Sequence, residues 1–344
     1  MVSPTLNPTK SDVFVPHSLI AKFSLRQGVT INGAADSSGK RSPEARTVES
    51  VNGLEPEKWK EMTEFSSRDA LSPDEIITLE GPQSNRAMRI IDLFSPLGKG
   101  QRALIVSPPK AGKTILLQQI AQAINANAPE IELIVLLIDE RPEEVTDMRR
   151  TIHGEVFASS NDNDLASHVR LAQLVPDYAK RKVETGKDVV LLLDSLTRLG
   201  RAFNVHQKSS GRTMTGGVDI RALEVPKRIF GSARKFEDAG SLTIVATILI
   251  DTNSRMDELI FQEFKGTGNM ELVLDRDLAN ERIFPAINLT ASGTRREELL
   301  FGDNLPAYQS LRRSIAHLSP RDAMLNVLKL VEHSPSNKKL LASF

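Results

Sequence analysis

The sequence predicts an α/β protein whose central sheet is mainly parallel and covered by helices, with a small β region in front of it. Three observations predict this. From residue 86 onward, short β-branched runs alternate with segments of helical periodicity. Four of those runs, residues 102–106, 133–138, 189–193 and 242–250, are nearly continuously apolar, as strands buried on both faces of a parallel sheet are. Between the first two, Leu117, Ile120, Ala121 and Ile124 recur at helical spacing over residues 114–125.

The 344 residues are 40% apolar and 26% charged, enough to bury a sizeable core, so a disordered or fibrous chain is excluded. Zero cysteines exclude disulfides and thiolate metal sites and fit a reducing compartment. The six histidines never fall three to five apart, which argues against a histidine-rich zinc site. The start, Met1-Val2-Ser3-Pro4-Thr5, lacks the basic and apolar stretches of a signal peptide, and the longest apolar run, residues 133–138, is too short to span a bilayer. A cytoplasmic protein with no membrane partner is expected. Formal net charge is zero, but residues 1–85 hold nine Lys/Arg against twelve Asp/Glu, so the remainder carries +3 and is the part a polyanion should prefer.

Taken in order, residues 1–11 combine proline, serine and threonine and read as a mobile arm. Residues 12–15, 22–25 and 29–31 carry strand signals. Residues 33–85 are rich in Gly, Ser, Pro and acidic side chains, with one helix-like piece at 55–65, and read as linker-like. The run Ser107-Pro108-Pro109-Lys110-Ala111-Gly112-Lys113-Thr114 then follows a predicted strand and opens a predicted helix. That context suits a phosphate-binding loop: backbone amides at the helix N-terminus cradle phosphates, Lys113 reaches the β and γ phosphates, and Thr114 holds Mg²⁺. Ser107 stands where such loops usually begin with glycine.

Phosphoryl chemistry also needs a carboxylate near Mg²⁺ and another that acts on water. Two apolar strands end in acids, at Asp139-Glu140 and at Asp194. Ligands of an open parallel sheet gather at the carboxyl ends of its strands, so both can face the phosphates. Glu140 is the candidate for activating water, and Asp194 for holding Mg²⁺ through a water molecule. Either acid alone could merely end a strand and cap the next helix.

At this point the sequence resembles the Rho family of bacterial transcription termination factors. The resemblance runs over residues 86–344, about three quarters of the chain. It is carried by residues 107–114, by Leu136-Leu137-Ile138-Asp139-Glu140-Arg141-Pro142-Glu143-Glu144-Val145-Thr146, by residues 192–198 and by Thr215-Gly216-Gly217-Val218-Asp219. Glu263-Phe264-Lys265-Gly266-Thr267-Gly268-Asn269-Met270-Glu271-Leu272 and Ser292-Gly293-Thr294-Arg295 complete it. The resemblance implies a RecA-like P-loop ATPase and helicase domain at 86–344, assembled as a homo-hexamer. ATP and Mg²⁺ would sit at subunit interfaces and single-stranded nascent RNA in the central channel, with RNA polymerase as a further partner.

The resemblance also implies roles for individual residues. Gly98, Lys99, Gly100, Gln101, Arg102 and Ala103, and Lys110, Ala111, Gly112, Lys113, Thr114 and Ile115, match the family's ATP-contacting segments. Arg141 matches an arginine beside the ATP, and Phe284 the aromatic that stacks on adenine. Arg295 matches an arginine finger that completes a neighbour's site, a role suited to a planar, always charged fork. Arg212, Thr213 and Gly216 lie in one loop that resembles a pore loop, and Arg255 in another; one cation per subunit could hold RNA phosphates there. Residues 12–80 resemble only the second half of the family's small RNA-binding barrel, a partial or degenerate OB/cold-shock-like region. Its aromatics Phe14, Phe23, Trp59 and Phe65 are expected to form a small core. The implied function is ATP-driven movement on RNA and release of transcripts. The alternative is a ring subunit that binds ATP without terminating transcription by itself.

Overall fold

A computed structural model describes residues 6, 9, 11–37, 42–82, 85–206, 213–214, 216–219 and 221–344. Most of the arm expected at 1–11 and Arg212 lie outside the described residues. Nine strands make one large sheet: β1 (Ala70–Leu71), β2 (Arg102–Ser107), β3 (Glu132–Glu140), β4 (Glu155–Ser160), β5 (Val189–Asp194), β6 (Arg234–Phe236), β7 (Ser241–Leu249), β8 (Met270–Val273) and β9 (Gly293–Thr294). Their spatial order is β9-β8-β2-β7-β5-β3-β4, and β6 lies antiparallel to the start of β7 and carries β1. Every pairing from β8 across to β4 is parallel. The four strands expected from the sequence are β2, β3, β5 and β7. The less apolar β4 and the shorter β8 went unread.

Successive side chains of a strand point to opposite faces, so each strand feeds two cores. Ala103, Ile105, Val135, Leu137, Val190 and Leu192 pack on one face with α1 (Lys113–Asn127) and α2 (Pro142–Thr151). Leu104, Val106, Leu136, Ile138, Leu191 and Leu193 pack on the other with α3 (Leu165–Glu184), α4 (Leu196–His206) and α5 (Arg255–Lys265). Helices on both faces are why these strands lack polar alternation.

The N-terminal region corrects the reading in two places. Residues 22–25 are not a strand: Pro16 precedes a short helix, His17–Lys22, and the chain turns at Ser24 with φ +49° so that Phe23 can enter a small core with Val48, Val51 and Trp59. Residues 12–15 make a single bridge, Phe14 to Glu44, and only Ile31–Asn32 of the third expected strand pairs, with Ser50–Val51. The stretch read as linker is partly core of the large body. Phe65 meets Phe236 edge-on at 4.8 Å, β1 joins the sheet, and Ile77 and Leu79 are buried under the other face.

A buried ion cluster docks the N-terminal region on the end of α3. Glu184 accepts from Arg26 at 3.2 Å, from Arg181 at 3.1 Å and from the Phe65 N–H at 2.6 Å, while Trp59 lies under the Arg26 guanidinium at 4.7 Å. Removing one member of a buried pair strands the others, at about 3–5 kcal/mol. Glu184→Ala should lower stability by that amount in chemical denaturation; a loss below about 1 kcal/mol would mean that both arginines simply return to water.

Candidate active site

Four parallel strands deliver the candidate residues to one edge. β2 ends at Ser107, which is buried and donates its hydroxyl to the Pro108 carbonyl at 2.8 Å, so the turn closes without a glycine there. The loop reaches α1 through Lys110 at φ +66° and Gly112 at φ +91°. A side chain at Gly112 would have room, its nearest neighbour being Phe284 at 3.8 Å, so the positive φ is what favours glycine. From the head of α1, Lys113 extends over β7 toward the ends of β5 and β3.

There Lys113 is ion-paired with Asp194 and, at 3.3 Å, with Glu140. Burial opposes its charge, but the two carboxylates outweigh burial and raise its pKa. Asp194 also accepts from Thr247 of β7 at 2.6 Å, while its second oxygen is buried and unpartnered among the described residues. Glu140 is buried, and burial followed by the nearby Asp194 charge lifts its pKa from 4.5 to about 7 against the pull of Lys113 and Arg198. A bulge between Ile138 and Glu140, with Asp139 at φ +58°, breaks the alternation of β3 at this point. Arg198 of α4 then bridges both acids, donating to Asp139 at 3.2 Å and to Glu140 at 3.4 Å. Thr114 donates to Glu144 of α2 at 3.3 Å. Sequence reasoning missed Arg198, Thr247 and Glu144 in these roles. Arg198 and Glu144 sat within the family-like runs, and that was the only signal available.

Beside the loop, a cavity of about 520 Å³ is lined by Ala111, Gly112, Ile115, Gln119, Phe284 and Ala286 among others. Ile115 is 61% and Phe284 49% exposed, unusual for large apolar side chains and suited to gripping a flat ring. Arg141 is exposed directly after Glu140.

Two groups are not brought to this edge. Gly98, Lys99, Gly100, Gln101, Arg102 and Ala103 lead into β2 at its opposite end, about 17 Å from Ser107 by strand rise. Lys99 there is paired with Glu75 at 2.9 Å and Asp188 at 2.8 Å, tying chain segments together. Within one chain this run cannot touch a nucleotide on the loop, which corrects the expectation for a single subunit. Arg295 lies at that same far end: its N–H bonds Asn269 at 2.9 Å, and its charge, with that of Arg234, adds to burial in lowering the pKa of Arg102.

The two loops expected to meet RNA touch each other. Gly216, at φ +89°, sits so close to Arg255 that an added Cβ would lie 3.0 Å from the Arg255 carbonyl oxygen. Arg255 is exposed at the start of α5. Thr213–Met214 pairs with Val218–Asp219. Asp257, in the first turn of α5, holds Arg201 of α4 at 2.8 and 2.5 Å, and Arg201 is one turn from Arg198. In the N-terminal region Phe23 and Trp59 fill the small core as expected, whereas Phe65 is buried in the large body against Phe236 and Phe14 is 60% exposed, because the short bridge to Glu44 leaves its ring outside the small core.

Set against known proteins, the chain is 49% identical over 349 aligned residues to the transcription termination factor Rho of Cereibacter sphaeroides, covering 99% of this chain and 83% of that protein. The chain belongs to the Rho family. Rho of Pseudomonas aeruginosa is 51% identical over 95% of this chain and 79% of its own length, and Rho of Bacillus subtilis 50% over 90% and 73%. The family model for the Rho termination factor RNA-binding domain matches residues 1–57, so this Rho-family chain carries an RNA-binding domain. The model for the nucleotide-binding domain of the ATP synthase alpha/beta family matches residues 87–294. An ATPase from the type III secretion system of pathogenic bacteria shares the fold, with a TM-score of 0.66 at 23% identity over 80% of this chain and 85% of that one. Family and fold together make the protein an ATP-hydrolysing enzyme with a RecA-like domain. Among the described residues no helix is long and apolar enough to cross a membrane.

Proposed function

We propose that this protein hydrolyses ATP in response to RNA, moves along single-stranded nascent transcripts as a ring of six, and releases them from RNA polymerase in the cytoplasm. We place the RNA-binding unit at about residues 12–62 and the motor from about residue 65, because Phe65, Ile77 and Leu79 serve the motor's cores. The observation that carries the reading is the division of the site. Lys113, Glu140 and Asp194 converge at one end of the sheet, while Arg295 sits at the other. A head-to-tail ring, in which one subunit's far end meets the next subunit's loop, reunites them. This convergence of hydrolytic groups supports a working motor over a subunit that only binds ATP.

Loop amides and Lys113 hold the phosphates, and the apolar cavity between Ile115 and Phe284 holds the base. Glu140, its proton affinity raised by burial, accepts a proton from the attacking water, and Arg198 fixes the carboxylate's direction. The oxygen donors fit Mg²⁺: the Thr114 hydroxyl would bind it directly, and the unpartnered buried oxygen of Asp194 would hold one of its waters. Mg²⁺ supplies charge neutralisation on the β and γ phosphates. Arg255 and the adjoining loop at Gly216 offer cations and backbone to RNA phosphates. The chain Arg255-loop, Asp257, Arg201, α4, Arg198, Glu140 gives RNA contact a packed route to the water-activating group.

ATP turnover with and without single-stranded RNA tests the reading; equal rates at saturating ATP would overturn it. On the RNA-binding unit, exposed Phe14 is the stacking surface in this proposal, and one base on an aromatic is worth about 1–3 kcal/mol. Phe14→Ala should weaken binding of pyrimidine-rich RNA about 5- to 150-fold without ATP, measured by fluorescence anisotropy. Unchanged affinity would leave phosphate contacts as the sole source of binding.

A further inference from the structure

We infer that His168 is a positioning residue for Glu140, holding in place, through Ser159, the bulge that aims this carboxylate at Lys113. The inference rests on the assignment of Glu140 above and deepens it. Strands β3 and β4 pair residue for residue from Ile134 with Glu155 to Ile138 with Ser159, and the next pair is Glu140 with Ser160, so Asp139 is the extra residue. An unpaired residue bends its strand and re-aims the side chains around it. Asp139 keeps φ +58°, a conformation that a residue with a side chain holds only where its surroundings impose it. Those surroundings lie on two sides. Arg198 donates to Asp139 and Glu140 from α4, and just beyond β4 the Asn161 N–H donates to the Glu140 carbonyl at 3.0 Å.

A polar pair on an apolar face fixes β4 itself at this point. Among the described residues β4 is the last strand of the sheet and has β3 as its one strand neighbour, so helix packing must hold its other contacts. Ile138 packs on the α3 face, and Ser159, its partner in register, points the same way. There the Ser159 hydroxyl meets Nδ1 of His168, in the first turn of α3, at 2.7 Å, with both side chains buried. It is the only hydrogen bond of either side chain among the described residues. Around it α3 contributes Val169, Ala172 and Val175, all apolar, so one placement of the helix against β4 pairs both polar groups and a slip leaves both unpaired. The charged groups facing the imidazole are Asp139 at the bulge and Asp164, which caps α3. Burial outweighs their pull and holds the imidazole pKa below its usual value, so near neutral pH the ring is uncharged and can accept from the hydroxyl. His168 makes no hydrogen bond to Glu140 or to the phosphate loop among the described residues, so it acts at one remove.

The test is steady-state ATP turnover of the full chain with Mg²⁺ and saturating pyrimidine-rich single-stranded RNA, read separately as kcat and KM for ATP. His168→Leu and Ser159→Ala should each lower kcat at least about tenfold, as small misplacement of a reacting group does, with KM changed by no more than about twofold. The double variant should be no worse than His168→Leu alone, since the two side chains form one contact. His168→Asn, whose amide can stand near the place of Nδ1 and pair with the hydroxyl, should keep kcat within about threefold of the unaltered protein. Unchanged kcat in His168→Leu and Ser159→Ala, a loss in His168→Asn as deep as in His168→Leu, or a loss in either deeper than in Glu140→Gln would overturn the role of His168 while sparing Glu140. Should His168→Leu fail to fold, unchanged kcat in Ser159→Ala overturns it alone. Near-normal turnover in Glu140→Gln would instead overturn the assignment beneath, and the inference with it.

Discussion

Arg295→Ala is expected to lower ATP turnover by about 10³- to 10⁵-fold while leaving nucleotide binding by each subunit largely intact. The reason is positional. Arg295 is exposed at the end of the sheet away from its own phosphate loop, so in the proposed ring it would act on a neighbour's nucleotide. A fork of fixed positive charge bridging the transferring phosphoryl oxygens corresponds to roughly 4–7 kcal/mol of barrier. Mixing supplies the decisive control. Arg295→Ala and Lys113→Ala subunits, each inactive alone, should regain part of the activity in mixed rings, since some interfaces then pair an intact Lys113 with an intact Arg295. Verified mixed rings with no recovery would falsify the division of the site between subunits.

Glu140→Gln should bind ATP and lose turnover by about 10²- to 10⁴-fold, the range for a general base. The isosteric amide can still accept from Lys113 and Arg198 but cannot take a proton from water. Lys113→Ala should differ in kind, weakening nucleotide binding as well as turnover, since Lys113 meets the phosphates before reaction begins. The pH profile gives a second check. Burial holds the Glu140 carboxyl protonated up to about pH 7, so its catalytic, ionised form is lost as pH falls through 7. kcat/KM for ATP should therefore rise with unit slope below about pH 7 and level above it. Glu140→Gln should lack that limb, and a variant that kept it, or kept near-normal turnover, would assign proton transfer to another group.

Much of this was legible in local sequence. Residues 102–107 and 113–127 declare a strand and a helix by periodicity, and the glycine, lysine and threonine between them declare phosphate binding, because positive φ, a long cation and a hydroxyl are local requirements. The acids at 140 and 194 were marked by the abrupt end of apolar strands. What periodicity cannot carry is strand order. That β2 and β5 flank β7, with β3 next, depends on which strands pair between residues as far apart in sequence as Arg102 and Ile244, and only this order places Lys113 within reach of both acids. The bulge that sets Glu140 beside Lys113, and Arg198 bridging from another helix, follow from that packing. Exposure is likewise a tertiary property. Four N-terminal aromatics look alike in sequence, yet three fill cores and Phe14 does not, because a core that needs only Phe23, Val48, Val51 and Trp59 leaves the fourth ring outside. The run from Gly98 to Ala103 and Arg295 show the same limit on a larger scale: they stand in family-like sequence, but the fold puts them at the far end of the sheet, away from their own chain's phosphate loop.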